Sequence, residues 1–119
     1  MNGWIGVDLD GTIAHYDGWK GISHVGEPIK PMCDRVRLWL SQGKTVKIFT
    51  ARIAGINRNI IGDRSAGALE KDVKGPIEEF SMREFDQVLE ITNIKDFGMI
   101  ELWDDRAVQV EFNTGRQIQ

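Results

Sequence analysis

Apolar residues gather in five short runs: "WIGVDL" (Trp4 to Leu9), "TVKIFT" (Thr45 to Thr50), "VLEIT" (Val88 to Thr92), "MIELW" (Met99 to Trp103) and "AVQVEF" (Ala107 to Phe112). Each is rich in β-branched or large apolar residues and is bounded by turn formers, as buried strands are. Between the first two, "PMCDRVRLWLSQG" repeats Met32, Val36, Trp39 and Leu40 at helical spacing, with Pro31 suited to the first turn and Gly43 to the position past the last. A strand, a helix and a strand imply a right-handed parallel unit. A second helix is expected within "GPIEEFSMREFDQV", with Pro76 near its start and Ile77, Phe80 and either Phe85 or Val88 turned inward.

Two stretches do not follow this scheme. Residues 14–28, "AHYDGWKGISHVGEP", mix glycine with aromatic and polar residues and read as a turn-rich excursion or small hairpin. Residues 54–75 are only weakly periodic, with a short helix expected around 66–73. No repeat, linker or low-complexity tract divides the chain, so 1–119 is read as one domain.

Composition narrows the chemistry. Hydrophobic residues at 41% and charged ones at 28% fit a packed globular chain, and a net charge of -3 argues against a broad surface for nucleic acid or anionic membrane. Cys33 is the single cysteine, which excludes an intramolecular disulfide and a multi-cysteine zinc site. With neither a signal-peptide pattern nor a run of about 20 apolar residues, a cytoplasmic home with no membrane association is expected. Cys33 itself is read as buried and inert, and Trp39 and Trp103 as core.

The polar residues that carry chemistry fall where the expected strands end. In an open parallel sheet, ligands sit beyond the carboxyl ends of the strands. Asp8 and Asp10 close the first strand, Thr50 the second, Lys95 follows the third, and Asp104 with Asp105 closes the fourth. Side chains two apart on an extended segment share a side, so Asp8 and Asp10 can address one object, and Gly11 lets the chain turn beneath it. Carboxylates converging at about 4 Å repel by about 4 kcal/mol per pair at an effective dielectric of about 20, which a hard divalent cation removes. Oxygen-only donors favour Mg2+, whereas zinc wants His or Cys and only His15 and His24 are present.

A carboxylate beside such an ion can attack a phosphoryl group without a base, provided that Mg2+, a lysine and hydroxyl or amide donors offset the charge. At this point "DLDGT", the threonine of "IFTAR", the lysine of "TNIKD" and the acidic pair of "LWDDR" resemble the four ordered motifs of the haloacid dehalogenase-like phosphohydrolases. The resemblance spans Val7 to about Val110. It implies a three-layer, Rossmann-like parallel sheet with helices on both faces, no large cap domain, and a turn-and-flap element over 14–28. It further implies Asp8 as nucleophile, Asp10 as general acid and base, and Thr50 and Lys95 as phosphate ligands, with Gly11, Thr12, Ala51 and Arg52 lining the substrate. Mg2+ would be held by Asp8, the backbone carbonyl of Asp10, and Asp104 with Asp105, of which Asp105 is favoured for direct contact.

Alternatives stand beside several of these roles. Lys95 precedes Asp104 by only nine residues, too few for an intervening helix, which leaves Lys74 as its competitor. Thr50 can instead cap a strand end, and Arg52 can meet either substrate or an acidic neighbour. Arg106 is expected to hold the acidic turn by ion pairing and is left out of the site. The flap residues His15, Tyr16, Trp19 and His24 either touch substrate or pack on their own hairpin. The expected function is a Mg2+-dependent phosphatase for a small phosphomonoester, with 54–75 as room for a small lid and a second copy of the chain as the partner that covers an open mouth. The competing readings are a receiver-like phosphoacceptor, a dehalogenase proper, and a non-catalytic metal- or phosphate-binding relative.

Overall fold

The computed structural model describes residues 3–56 and 69–118. Four strands form the sheet: β1 (Trp4–Asp8), β2 (Thr45–Phe49), β3 (Ile91–Thr92) and β4 (Met99–Trp103), in the order β3-β2-β1-β4 with every neighbouring pair parallel. Helix α1 (Lys30–Ser41) joins β1 to β2, and a 3-10 turn (Ala51–Gly55) and helix α2 (Glu70–Phe85) stand between β2 and β3. This is an α/β chain with a parallel sheet, as the alternation of strand and helix patterns predicts.

One core holds it together. Ile5 and Val7 of β1 meet Val46 and Ile48 of β2, Ile91 of β3, Cys33, Val36 and Trp39 of α1, and Val73, Ile77, Phe80 and Phe85 of α2. The two helices touch each other over that core, where Arg37 Nη1 donates to the Glu84 carbonyl at 2.8 Å. Both therefore cover the same face of the sheet, and among the described residues no helix covers the other. No described residues supply the layer expected on that second face: β3 reaches β4 through residues 93–98 alone, too short a crossover for a helix. Trp4, alternating away from Ile5, takes its place there. Its indole N–H donates to Asp96 at 2.8 Å, and the Lys47 ammonium sits 4.6 Å from its ring centroid.

Several boundaries differ from the sequence reading. Helix α2 begins at Glu70, so Pro76 lies inside it rather than near its start. Proline removes one helical hydrogen bond and costs about 3 kcal/mol in a helix interior. Val73, Ile77 and Phe80, all fully buried, span the proline as one apolar stripe, and their burial at about 1.5–3 kcal/mol each outweighs that loss. The strand expected over Val88 to Thr92 shrinks to Ile91–Thr92. "AVQVEF" is not a strand at all: β4 is the edge of the sheet, and the residues beyond it fold into a turn closed by a bridge between Val110 and Gln117. This run does not turn back to pair with the free side of β4, and Val108, Val110 and Phe112 are exposed. The expected short helix around 66–73 lies partly outside the described residues, its last four positions belonging to α2. No helix among the described residues is long and apolar enough to cross a membrane.

Candidate functional site

Register aligns the carboxyl ends of the strands. Asp8 pairs with Phe49, which puts Thr50 one step beyond it on β2, and Val7 pairs with Trp103, which brings Asp104 level with Asp8 on β4. Residues more than 90 positions apart in the sequence thus meet at the carboxyl ends of the strands. Beyond β1 the chain turns at Gly11, whose φ of +89° is a left-handed conformation that glycine tolerates. A Cβ at Gly11 would also lie 2.7 Å from Asp105 Oδ2, so this glycine makes room for the second carboxylate as well as the turn.

Asp8, Asp104 and Asp105 each direct an oxygen into one cluster, the atoms lying within 4.8 Å of one another. Thr12 ties it together: its hydroxyl accepts from the Asp105 amide at 3.1 Å and lies 3.4 Å from both Asp8 Oδ2 and Asp105 Oδ1. A single hydroxyl proton cannot satisfy two carboxylates, so the repulsion remains. Burial, then a hydrogen bond shared with Asp105 and the charges of Asp104 and Asp105, push the Asp8 carboxyl up from 3.8 to about 7, against a smaller opposite pull from Thr12. Without a cation, burial and the neighbouring carboxylates therefore favour the protonated form of Asp8 well above the usual carboxylate range. Hard oxygen donors, a like-charge cluster and a carboxylate that resists ionisation on its own together suit Mg2+ or a similar ion. Both Asp104 and Asp105 offer an oxygen; Asp104 Oδ1 also accepts from the Arg106 amide at 2.7 Å, which fixes the acidic turn.

Asp10 stands apart from that cluster. Arg52 Nε and Nη2 donate to its two carboxylate oxygens, both at 2.8 Å, a bidentate pair with the Arg52 side chain only 6% exposed. Of the two partners weighed for Arg52, the acidic neighbour is thus present, and Arg52 also lines the cavity described below. Arg52 also donates to the carbonyls of Ile22 at 3.3 Å and His24 at 2.9 Å, and its guanidinium carbon lies 5.0 Å from the Trp19 ring centroid. It joins the 3-10 turn, the end of β1 and the 14–28 segment in one knot.

That segment, called the flap below, closes as the small hairpin its turn residues suggest. Ala14 bridges to Pro28, and the His15 amide donates to the Glu27 carbonyl at 2.7 Å, so the excursion leaves and returns through a narrow neck. Gly26 belongs to the neck, where a Cβ would run into the His15 carbonyl. Between flap and strand ends lies a cavity of about 670 Å3 whose lining includes Asp8, Asp10, Thr50, Asp104, Asp105 and Trp19. Ala51 and Arg52 line it too. Thr50 is buried and its Oγ1 accepts from the Arg52 amide at 3.1 Å, the capping role weighed from sequence, while facing the cavity.

Neither lysine reaches the cavity. Lys95 is exposed midway along the 93–98 crossover, and the cavity lining contains Asn93, just past β3, in its stead. A crossover that must descend the sheet and pass two strands to reach β4 carries Lys95 away from the strand ends. Lys74 pairs with Glu70 at 3.3 Å on α2. Arg106, left out on sequence grounds, does line the cavity, as do Tyr16, Ile22, Phe49, Ala54 and Gly55. Adjacency to Asp105 was the signal that could have found Arg106. Of the flap residues, Tyr16 and Trp19 face the cavity and remain 41% and 56% exposed, so neither is packed away on its own hairpin. The remainder of the expected lid, 57–68, lies outside the described residues. Cys33 is buried, its Sγ donating to the Ile13 carbonyl, and burial pushes its thiol up to about 11, as an inert cysteine should be.

Comparison with family models, curated proteins and solved structures yields no match, so the resemblance to haloacid dehalogenase-like phosphohydrolases rests on this chain's residues and their placement.

Proposed function

We propose that the protein is a Mg2+-dependent phosphatase of haloacid dehalogenase-like type that hydrolyses phosphomonoesters through an aspartyl phosphate on Asp8. The observation that carries this reading is the meeting of Asp8, Asp104 and Asp105 within 4.8 Å at the strand ends, beside a cavity into which Thr50 also faces. Asp8, Asp104 and Asp105, with the backbone carbonyl of Asp10, would hold Mg2+, which would supply positive charge for both the carboxylate cluster and the incoming phosphoryl oxygens. Asp8 attacks phosphorus and the ester oxygen departs with a proton from Asp10. Water then attacks the acyl phosphate, giving its proton to Asp10 and releasing inorganic phosphate and Asp8. Both Asp10 oxygens accept from Arg52, so Asp10 must turn one of them away before it can hand over or receive that proton. The Thr50 hydroxyl is free to donate to a phosphoryl oxygen because its own oxygen already accepts from Arg52. Arg106, on the cavity wall, supplies the cation that Lys95 does not.

The test is release of phosphate from p-nitrophenyl phosphate. Hydrolysis with Mg2+ that stops on chelation and in Asp8→Asn is the expected result, and wild-type protein inert with Mg2+ sinks the proposal. The displacement of Lys95 from the cavity favours one second reading, a relative that binds the ion and phosphate without turnover. In that case Mg2+ and phosphate bind together while no ester is cleaved.

A further inference from the structure

The cavity has far more room than a phosphoryl group needs. Its volume of about 670 Å3 lies within the roughly 300–1,000 Å3 of sites that enclose organic ligands. Over the acidic floor the flap contributes Tyr16, Trp19 and Ile22, apolar apart from one hydroxyl and one indole N–H. Such a wall offers little to a polyol and much to a flat ring. Trp19 is also held in place rather than left loose. The guanidinium beside it is itself fixed by Asp10 and by the carbonyls of Ile22 and His24, all within 3.3 Å, while 56% of Trp19 stays open. An aromatic side chain ordered before a ligand arrives loses little freedom on binding it.

We propose that the cavity takes phosphomonoesters whose leaving group carries an aromatic ring, stacked on Trp19, with Arg52 as the positioning residue that fixes Trp19 and Asp10 together. This rests on the phosphatase reading and goes beyond it by naming the leaving group. The buried bidentate pair makes flap and acid-base carboxylate one unit, so the ring that selects the leaving group and the group that protonates it move together.

Adenosine 5′-monophosphate and ribose 5-phosphate test this, because both lose a primary alkoxide of similar reactivity and differ in the base. With Mg2+, kcat/KM favours the nucleotide by about tenfold, through KM, as a stacked base predicts. Trp19→Ala brings the two esters to the same kcat/KM, Trp19→Phe keeps the preference, and Arg52→Lys lowers it by raising KM for the nucleotide. A ratio near one in the wild type, or an equal loss for both esters in Trp19→Ala, overturns the stacking and leaves the phosphatase reading intact. If neither ester is cleaved, calorimetric titration of the same two compounds into the protein with Mg2+ decides. About tenfold tighter nucleotide binding that vanishes in Trp19→Ala upholds the stacking, the phosphatase reading being decided separately by p-nitrophenyl phosphate; equal affinities, or no binding of either, overturn it.

Discussion

Replacing Asp8 by asparagine removes a charge from a cluster that has no internal cation, and should make the metal-free protein more stable while destroying its response to Mg2+. The cluster atoms lie within 4.8 Å of one another. At that distance and an effective dielectric of about 20, each like-charge pair repels by about 3.5 kcal/mol. Asp105 is exposed and the other two partly so, and solvent screening reduces the net gain to about 1–2 kcal/mol. For a chain of this length that is a rise in Tm of roughly 3–10 °C. The sign follows from linkage. Asp8 in the fold is raised from 3.8 to about 7, so between those values the folded state holds a proton that the unfolded state has lost. The metal-free wild type therefore loses stability as pH rises from about 4 to about 7, and the advantage of Asp8→Asn grows across that window and is constant above it. Thermal melts in chelator and in millimolar Mg2+ at pH 4.5 and 8 read both effects. A variant that melts with or below the wild type in chelator at pH 8, or one that Mg2+ stabilises as much as it does the wild type, refutes the reasoning.

Because the ion must displace the Asp8 proton, Mg2+ affinity measured by calorimetry should fall about tenfold from pH 8 to pH 6, ionisation being nearly complete at the first and about one tenth at the second. Gly11→Ala forces a side chain into a φ of +89° and within 2.7 Å of Asp105, so it should cost about 1–3 kcal/mol in chemical denaturation and weaken Mg2+ binding together. Ser81 is fully buried, donating to the Gln87 carbonyl at 2.7 Å and accepting from the Leu89 amide at 2.9 Å. Ser81→Ala strands both groups and should lower stability by about 1–3 kcal/mol, read by urea unfolding, with Mg2+ affinity unchanged.

Strands β1 and β2 and helix α1 were legible because local signals and burial agree: short apolar runs in the strands, Pro31 and Gly43 bracketing the helix; β4 was legible from its apolar run alone, since most of it is only partly buried or exposed. The start of α2 was not, since turn chemistry at Gly75 and Pro76 points one way and the buried stripe of Val73, Ile77 and Phe80 points the other. "AVQVEF" misled because alternation records what could pair, not whether the chain turns back to lie along a free edge. At the site, carboxylates and Thr50 could be placed from strand ends alone. Lys95 could not, for its position depends on the path of an irregular crossover. Nor does any spacing rule disclose that Arg52 ties Asp10 to the flap 30 residues upstream, as its bond to Ile22 does.

The placement of β4 at the sheet edge has a consequence for how the molecule is assembled. Asp104 and Asp105 follow Asp8 by more than 90 residues in the sequence, and without them Asp8 has no acidic companions. An ion bound there would act as a clasp between β1 and β4, favouring by mass action those molecules in which β4 has docked. Amides of β4 should then exchange with deuterium faster on chelation, while those of β2, interior to the sheet, barely notice.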